Sequence, residues 1–352
     1  MEDFKIIVRR ALERDASDLH MTVGLPPVYR IDGELINEGT ERLTNADVEF
    51  AVAQLANENQ LEELKRTGEC DFAVTFDGSI RMRCNAFYQQ GNTALALRLL
   101  PLKIPTVEEL ELAPIIVEQA EKPRGLVLVT GPTGSGKSST LAAMLDHINK
   151  TRRRHIITLE NPIEFIHVHD KCIVNQREVG DDTGSFAAGL RAALRQDPDV
   201  ILVGEMRDLE TISTAITAAE TGHLVFGTLH TKGAANTIDR IIDVFPPEQQ
   251  EQIRIQLADV LECAITKALL PKIGGGRVPA YEIMVATPAV RSLIRQNKSF
   301  QITSAMQTGR AQGMQLLDDA LAQLVRKGQV TLENALATAN DPDTLRTQFR
   351  RF

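Results

Sequence analysis

Gly131-Pro132-Thr133-Gly134-Ser135-Gly136-Lys137-Ser138 fits G-x-x-x-x-G-K-[ST] without a mismatch. Residues of these types at this spacing suit the binding of a polyphosphate. Glycines let backbone N–H groups converge on phosphate oxygens, and a helix starting at the end of the loop aims its positive pole at them. The candidate site runs over Gly131, Pro132, Thr133, Gly134, Ser135, Gly136, Lys137, Ser138 and Ser139. Lys137 would reach the β- and γ-phosphates of ATP, and the Ser138 hydroxyl would ligate Mg²⁺. The competing reading is a glycine-rich turn that binds nothing. The flanks weigh against it: GLVLVT over residues 125–130 has the length and composition of a buried parallel strand, and Leu141, Met144, Leu145 and Ile148 recur at helical spacing.

Phosphoryl transfer to water needs a metal clamp, a group that orients the water, and positive charge for the transition state. The run VILVGE ends in Glu205, a carboxylate at a strand end where such a site holds Mg²⁺. HIITLENPIEF ends a strand at Glu160 and adds Glu164 four residues on, and Pro162 makes the turn between them rigid. Either acid can polarise the attacking water, and Glu164 is the favoured one. His223 and His230 bracket a strand, where a histidine at the carboxyl end can hydrogen-bond a γ-phosphate; a lone histidine is more often structural. Arg81, Arg83 and Arg98 lie on two strands of the first hundred residues. They are either solvated strand faces or cations offered in trans to the phosphate site of a neighbouring copy.

These groups need a scaffold, and the 352-residue chain is long enough for two domains. Hydrophobic residues are 43% and charged residues 24%, ordinary for a globular protein. A net charge of −8, a pI near 5.5 and no Trp argue against a dedicated nucleic-acid binder. No apolar run approaches a membrane span, and the N-terminus has no signal-peptide core, so a cytoplasmic protein is expected. Cys70, Cys84, Cys172 and Cys263 are scattered and read as reduced core or surface thiols.

Residues 1–100 read as a small α+β domain. An amphipathic helix opens it, and strands follow at 17–21, 28–31 and 34–36, the last two joined by Asp32-Gly33. A helix from Thr44 carries Val48, Val52, Leu55 and Leu61, and strands at 72–76, 79–87 and 93–100 complete the domain. Residues 101–123 form a proline-stiffened linker with a short helix at 107–110. Residues 124–352 form an α/β domain with a parallel sheet, whose strands lie at 126–129, 155–159, 200–204 and 224–229. Past Pro246-Pro247 the pattern is mostly helical: Ile253, Leu257, Val260, Leu261 and Ile265 share one face, and Leu316 to Val325 another. The polar stretch from Asn340 is expected to fray.

GPTGSGKSS, TLENPIEF, KCIVNQREVGDDT, ILVGEMRDLETI, AAETGHLVFGTLHT and IDRIIDVFPPEQQ resemble the secretion-superfamily ATPases of type II secretion and type IV pili. The resemblance spans Ala16 to about Val330. It implies a PAS-like N-terminal domain and a RecA-like P-loop ATPase domain. It also implies a homohexamer with nucleotide between protomers, acting at an inner-membrane pilus platform protein on the cytoplasmic face of the membrane. Within it, Lys137 matches the Walker A lysine, Glu164 the acidic box, Glu205 an atypical Walker B glutamate, and His223 and His230 the His box. Arg83 and Arg98 match cations that the N-terminal domain presents to the adjacent site. Residues 289–296, AVRSLIRQ, resemble the retraction-specific element AIRNLIRE. The four-cysteine element and longer N-terminus of assembly and secretion ATPases are missing, which favours pilus retraction and twitching motility.

Two departures stand out. Asn161 replaces the Asp usual in the acidic box, which keeps open a regulatory nucleotide-binding subunit with weak hydrolysis. FIHVHDKCIV carries a histidine pair like that of the paralogous PilU-type pilus ATPases. A RecA-like nucleic-acid translocase and a small-molecule kinase are more distant competitors.

Overall fold

The computed structural model describes residues 3–78, 80–100 and 103–349. It divides into two compact units: the described part of Met1–Ile104 together with Pro162–Ile166, and Pro105–Asn161 with the described part of His167–Phe352.

The first unit is built on a six-stranded antiparallel sheet. Its strands are β1 (Asp18–Met21), β2 (Val28–Ile31), β3 (Glu34–Asn37), β4 (Glu69–Phe76), β5 (Ile80–Gln89) and β6 (Asn92–Leu100), in the order β3-β2-β1-β6-β5-β4. Two-residue turns join β2 to β3 and β5 to β6, and a three-residue connection joins β4 to β5. Asp32-Gly33, Asp77-Gly78 and Gln90-Gly91 all have positive φ at both positions, the backbone twist that a right-twisted hairpin requires. Only the first two were legible as turns. Helices Phe4–Glu13, Asn45–Leu55 and Glu58–Thr67 share a core with alternate sheet residues, including Leu19, Met21, Met82, Cys84, Leu95 and Leu97. The single helix expected through Leu61 is two. Asn57 caps a new helix by accepting from the Gln60 backbone N–H while the Gln60 side chain accepts from its own, and that reciprocal pair breaks the first helix at Ala56. The strand expected from Ser79 begins at Ile80, Ser79 itself lying outside the described residues.

The second unit carries a seven-stranded sheet. Its strands are β7 (Gly125–Thr130), β8 (His155–Glu160), β9 (Ile173–Glu178), β10 (Val200–Val203), β11 (Leu224–Leu229), β12 (Leu261–Pro271) and β13 (Arg277–Val285), in the order β13-β12-β7-β11-β10-β8-β9. All neighbours are parallel except β12 and β13. β7, β10 and β11 are buried at every position, as strands covered on both faces are. Phe226 at the centre of β11 is fully buried, and Phe226→Ala would cost about 3–5 kcal/mol.

Three sequence expectations fail here. The short helix at 107–110 is a turn: Thr106 and Glu109 exchange hydrogen bonds as a helix start would, but Glu111 takes a positive φ and stops it. The helix lies instead at Pro114–Ala120, its proline in the first turn. The apolar series Ile253 to Ile265 is not one helix. The helix Pro247–Val260 ends and β12 begins at Leu261, because a strand buried on both faces is a continuous apolar run that periodicity cannot tell from a helix.

The stretch from Asn340 does not fray over its described part. Asp341 caps the helix Pro342–Thr347, and Leu345 is buried. The buried Glu282 carboxylate on β13 holds this region, accepting from the Ala234 N–H at 2.7 Å, the Asn340 amide at 3.1 Å and the Leu317 N–H at 3.4 Å. All four cysteines are buried free thiols, so none is the surface thiol that the sequence left open.

Candidate nucleotide site

β7 runs straight into the glycine loop, and the helix Lys137–Thr151 leaves it. Gly131, Gly134 and Gly136 all have positive φ. At Gly131 a Cβ would also stand 2.3 Å from the Lys267 carbonyl oxygen, so no other residue fits between the loop and β12. The Lys137 Nζ donates to the carbonyls of Gly131 at 2.8 Å and Pro132 at 3.1 Å, which folds its side chain back over the loop. The Ser135 hydroxyl is buried in the same loop with no hydrogen-bond partner. A buried polar atom of this kind calls for a ligand, and a phosphate oxygen is the natural acceptor beside a converging loop.

Strand register brings the other groups in. β11 pairs in parallel with β7 so that Leu229 lies beside Thr130, which places His230 level with Gly131. β10 pairs with β11 so that Val203 lies beside Gly227, carrying Glu205 to the same edge. Met206 anchors the turn: its side chain covers Gly227, where a Cβ would lie 2.2 Å from its sulfur, and its N–H donates to the Thr228 carbonyl at 3.0 Å. The result is a row of three side chains. Lys137 Nζ is 3.5 Å from His230 Nδ1, and His230 Nε2 is 3.1 Å from Glu205 Oε1. A neutral imidazole can accept from the lysine at Nδ1 and donate to the carboxylate at Nε2. Glu205 also pairs with the exposed Arg207. With its serine hydroxyl and glutamate carboxylate the edge offers the hard oxygen donors that Mg²⁺ takes alongside water and phosphate.

Glu160 ends β8 next to this row. Gly204 permits the approach, since a Cβ there would meet the Leu159 carbonyl oxygen at 2.9 Å and the Glu160 Cα at 3.2 Å. The Glu160 carboxylate accepts from Thr158 Oγ1 at 2.6 Å and Gln176 Nε2 at 3.1 Å, so it is already engaged. Glu164 lies in Pro162–Ile166, the segment that packs with the first unit. There the Arg81 guanidinium donates to the neighbouring Ile163 carbonyl at 3.2 and 3.3 Å.

His223 lies away from this row. It precedes β11 at its amino end, six strand residues from His230, and its ring contacts the Ala218 carbonyl at 2.8 Å and Thr221 Oγ1 at 3.2 Å. At about 3.3 Å per residue, seven steps along the strand put it about 23 Å from His230 in its own chain.

Arg83 and Arg98 face each other directly across β5 and β6 on the exposed side of the first unit's sheet. Arg98 Nε is tied to Asp18 at 2.9 Å, and Asp18 lies between it and Arg30 in the strand register. No acid pairs with Arg83 in the strand register, where its other neighbour is Ala73. In the segment 289–296, Arg291 donates to the Ala258 and Asp259 carbonyls and to Glu262, and Arg295 pairs with Asp259. Both of its cations therefore serve to fasten that helix to the end of Pro247–Val260.

Lys267 was missed. It sits on β12, where Thr266 pairs with Thr130, so it too is level with Gly131, on the side opposite His230. Its buried Nζ donates to the Gly136 carbonyl at 3.1 Å and to Thr140 Oγ1 at 2.9 Å. A lysine amid ALLP and CAIT is the available signal, but the helical spacing of Ile253, Leu257, Val260, Leu261 and Ile265 hides the strand.

A glycine loop between a buried parallel strand and a helix, with a lysine, a histidine and a strand-end glutamate in line, defines a P-loop ATPase of RecA-like fold. The chain belongs to the type II/IV secretion system protein family, whose pattern matches residues 2–274. It is 50% identical over 341 residues to the type IV pilus retractation ATPase PilT of Pseudomonas aeruginosa, spanning 97% of this chain and 99% of that protein. It is 40% identical over 349 residues to the type IV pilus ATPase PilU of the same organism, spanning 99% and 91% respectively. The crystal structure of the pilus retraction motor PilT with bound ADP matches it with a TM-score of 0.92 at 49% identity, over 99% of both chains.

Proposed function

We propose that this chain is the ATP-hydrolysing motor of type IV pilus retraction. It would work as a hexameric ring at the cytoplasmic face of the inner membrane, against the pilus platform protein. The row Lys137–His230–Glu205 carries the ATPase reading, because three strands and the glycine loop converge to build it. The full-length likeness to PilT carries the retraction reading.

The chemistry follows from the groups present. ATP phosphates compete with the Gly131 and Pro132 carbonyls for the Lys137 ammonium, and the loop N–H groups bind the same oxygens. Mg²⁺, held by Ser138 and through water by Glu205, would neutralise charge on the β- and γ-phosphate oxygens. Glu164 would orient the attacking water and accept its proton, with Glu160 as a supporting acid. His230 would report the γ-phosphate to Glu205. Arg83 and Arg98 would complete the phosphate site of the adjacent protomer, stabilising the transition state. Arg98 already has Asp18 as its anion, whereas Arg83 has no acid beside it in the strand register and would gain one in this role, which supports the ring.

The test is a count of surface pili in cells whose only copy carries Lys137→Ala. Excess pili without twitching is the expected result. Bald cells would mean that the motor extends pili, and unchanged piliation and motility would reopen the choice of partner system.

A PilU-like accessory role, working beside a paralogue, is the second reading, raised by the histidine pair. Its residues are engaged locally: His167 is buried, and His169 Nδ1 accepts from the Val174 N–H at 3.0 Å. Of the pair only His169 is exposed, and it already serves to fix the local backbone.

A further inference from the structure

Lys267 is a buried amine with no carboxylate partner among the described residues. Its neighbours are two oxygens and an aromatic face: the Gly136 carbonyl, Thr140 Oγ1, and the Tyr281 ring, whose centroid is 5.5 Å from Nζ. Both oxygens belong to the first turn of the P-loop helix, where the helix dipole is positive. A buried cation in that position is disfavoured by desolvation and by the dipole together. An anion on the other side of the glycine loop relieves both.

We propose that Lys267 is a second lysine of the phosphate site, a positioning residue that braces Gly136 and Thr140 from behind the loop and holds its proton most tightly when nucleotide is bound. This rests on the nucleotide-binding reading above and deepens it. The brace is specific. Gly136 leaves room for it, since a Cβ at that position would stand 2.9 Å from the Lys267 Nζ. It links β12 to the helix that opens with Lys137, so the loop is fastened between β11 and β12.

Burial pushes the Lys267 amine down to about 8. The titratable groups around it are Tyr281 on β13, whose phenol burial pushes up to about 12, Lys137 opening the P-loop helix, and Lys232 lining the same cleft. Phosphates raise the amine's affinity for its proton. By linkage, the contribution of Lys267 to nucleotide binding is then complete below the free protein's value and is lost as pH rises from there through the higher value of the complex. Affinity for ADP is expected to fall about fivefold between pH 7 and pH 9 from this group alone.

The experiment measures ADP binding by calorimetry to the wild type and to Lys267→Met at both pH values. The expected result is a variant about tenfold weaker at pH 7 and within about twofold of the wild type at pH 9. A variant weakened equally at both values has lost only packing, and a variant unchanged at both has lost nothing; either overturns the proposal. If Lys267→Met does not fold, the wild type is titrated at pH 8.5 in two buffers of different ionisation heat. Uptake of about half a proton per ADP is then expected, and no uptake overturns the proposal. Wild-type protein that binds no ADP at either pH overturns the nucleotide reading itself. Tight binding indifferent to pH removes Lys267 alone.

Discussion

His230 Nε2 stands 3.1 Å from Glu205 Oε1, while the other nitrogen of the ring faces Lys137. The imidazole thus ties the phosphate-binding lysine to the carboxylate on the next strand but one from β7. The proposed role for it is in turnover rather than in assembly. His230→Ala is expected to lower kcat by about 10- to 100-fold, the range of one or two charge-assisted hydrogen bonds. Nucleotide affinity should change by much less. Steady-state ATPase assays beside ADP titrations check this, and a variant at the parental kcat would remove His230 from the mechanism.

Lys137 has the Gly131 and Pro132 carbonyls as its anchors, and both would survive in Lys137→Ala. Thermal stability should therefore stay within a few degrees of the parent, while ATP turnover falls below detection. Hydrolysis at the parental rate by the purified variant would sink the assignment of the loop.

Arg83 lies directly opposite Arg98, and like charges facing across a sheet are destabilising. Arg83→Ala should leave the first unit as stable as before, or slightly more so. If Arg83 acts on the neighbouring protomer, the same change cuts turnover by about 10³-fold with the ring intact. Light scattering and ATPase assays on one preparation separate the two effects. Parental turnover in this variant would end the trans role.

His167 is buried with Nδ1 unpartnered, and burial pushes its imidazole down to about 4. The unfolded chain takes up a proton near 6.5, whereas the folded chain resists until about 4. The stability that this neutral ring supports is thus present above pH 6.5 and lost as pH falls toward 4. About 2 kcal/mol should go between pH 7 and pH 5. Urea melts of the wild type and His167→Phe at both pH values should show the variant losing less by that amount. Parallel losses would mean that His167 is charged in the folded protein.

Much of the site was legible because it is local. The glycine loop needs three residues that accept positive φ and a lysine at a set distance, and all of that is written within eight consecutive positions. Glu205 was legible for a similar reason, as the acid where a buried run stops. The hairpin turn at Asp32-Gly33 and the parallel strands could be read from turn chemistry and apolar runs, since both are settled by a few neighbours. The break between the helices Asn45–Leu55 and Glu58–Thr67 was also local, and the Asn57–Gln60 signal was there to be read.

What needed the tertiary structure is pairing. Whether Leu261–Pro271 coils or extends depends on β7 being present beside it, because its own apolar pattern permits both. Once it extends, register sets Lys267 against the loop from one side and His230 from the other. His223, equally visible in the chain, goes to the far end of the same strand for the same reason. Residue types fixed the chemistry that this protein has available. Strand order and register, which arise from burying both faces of one sheet, decided which of those residues meet.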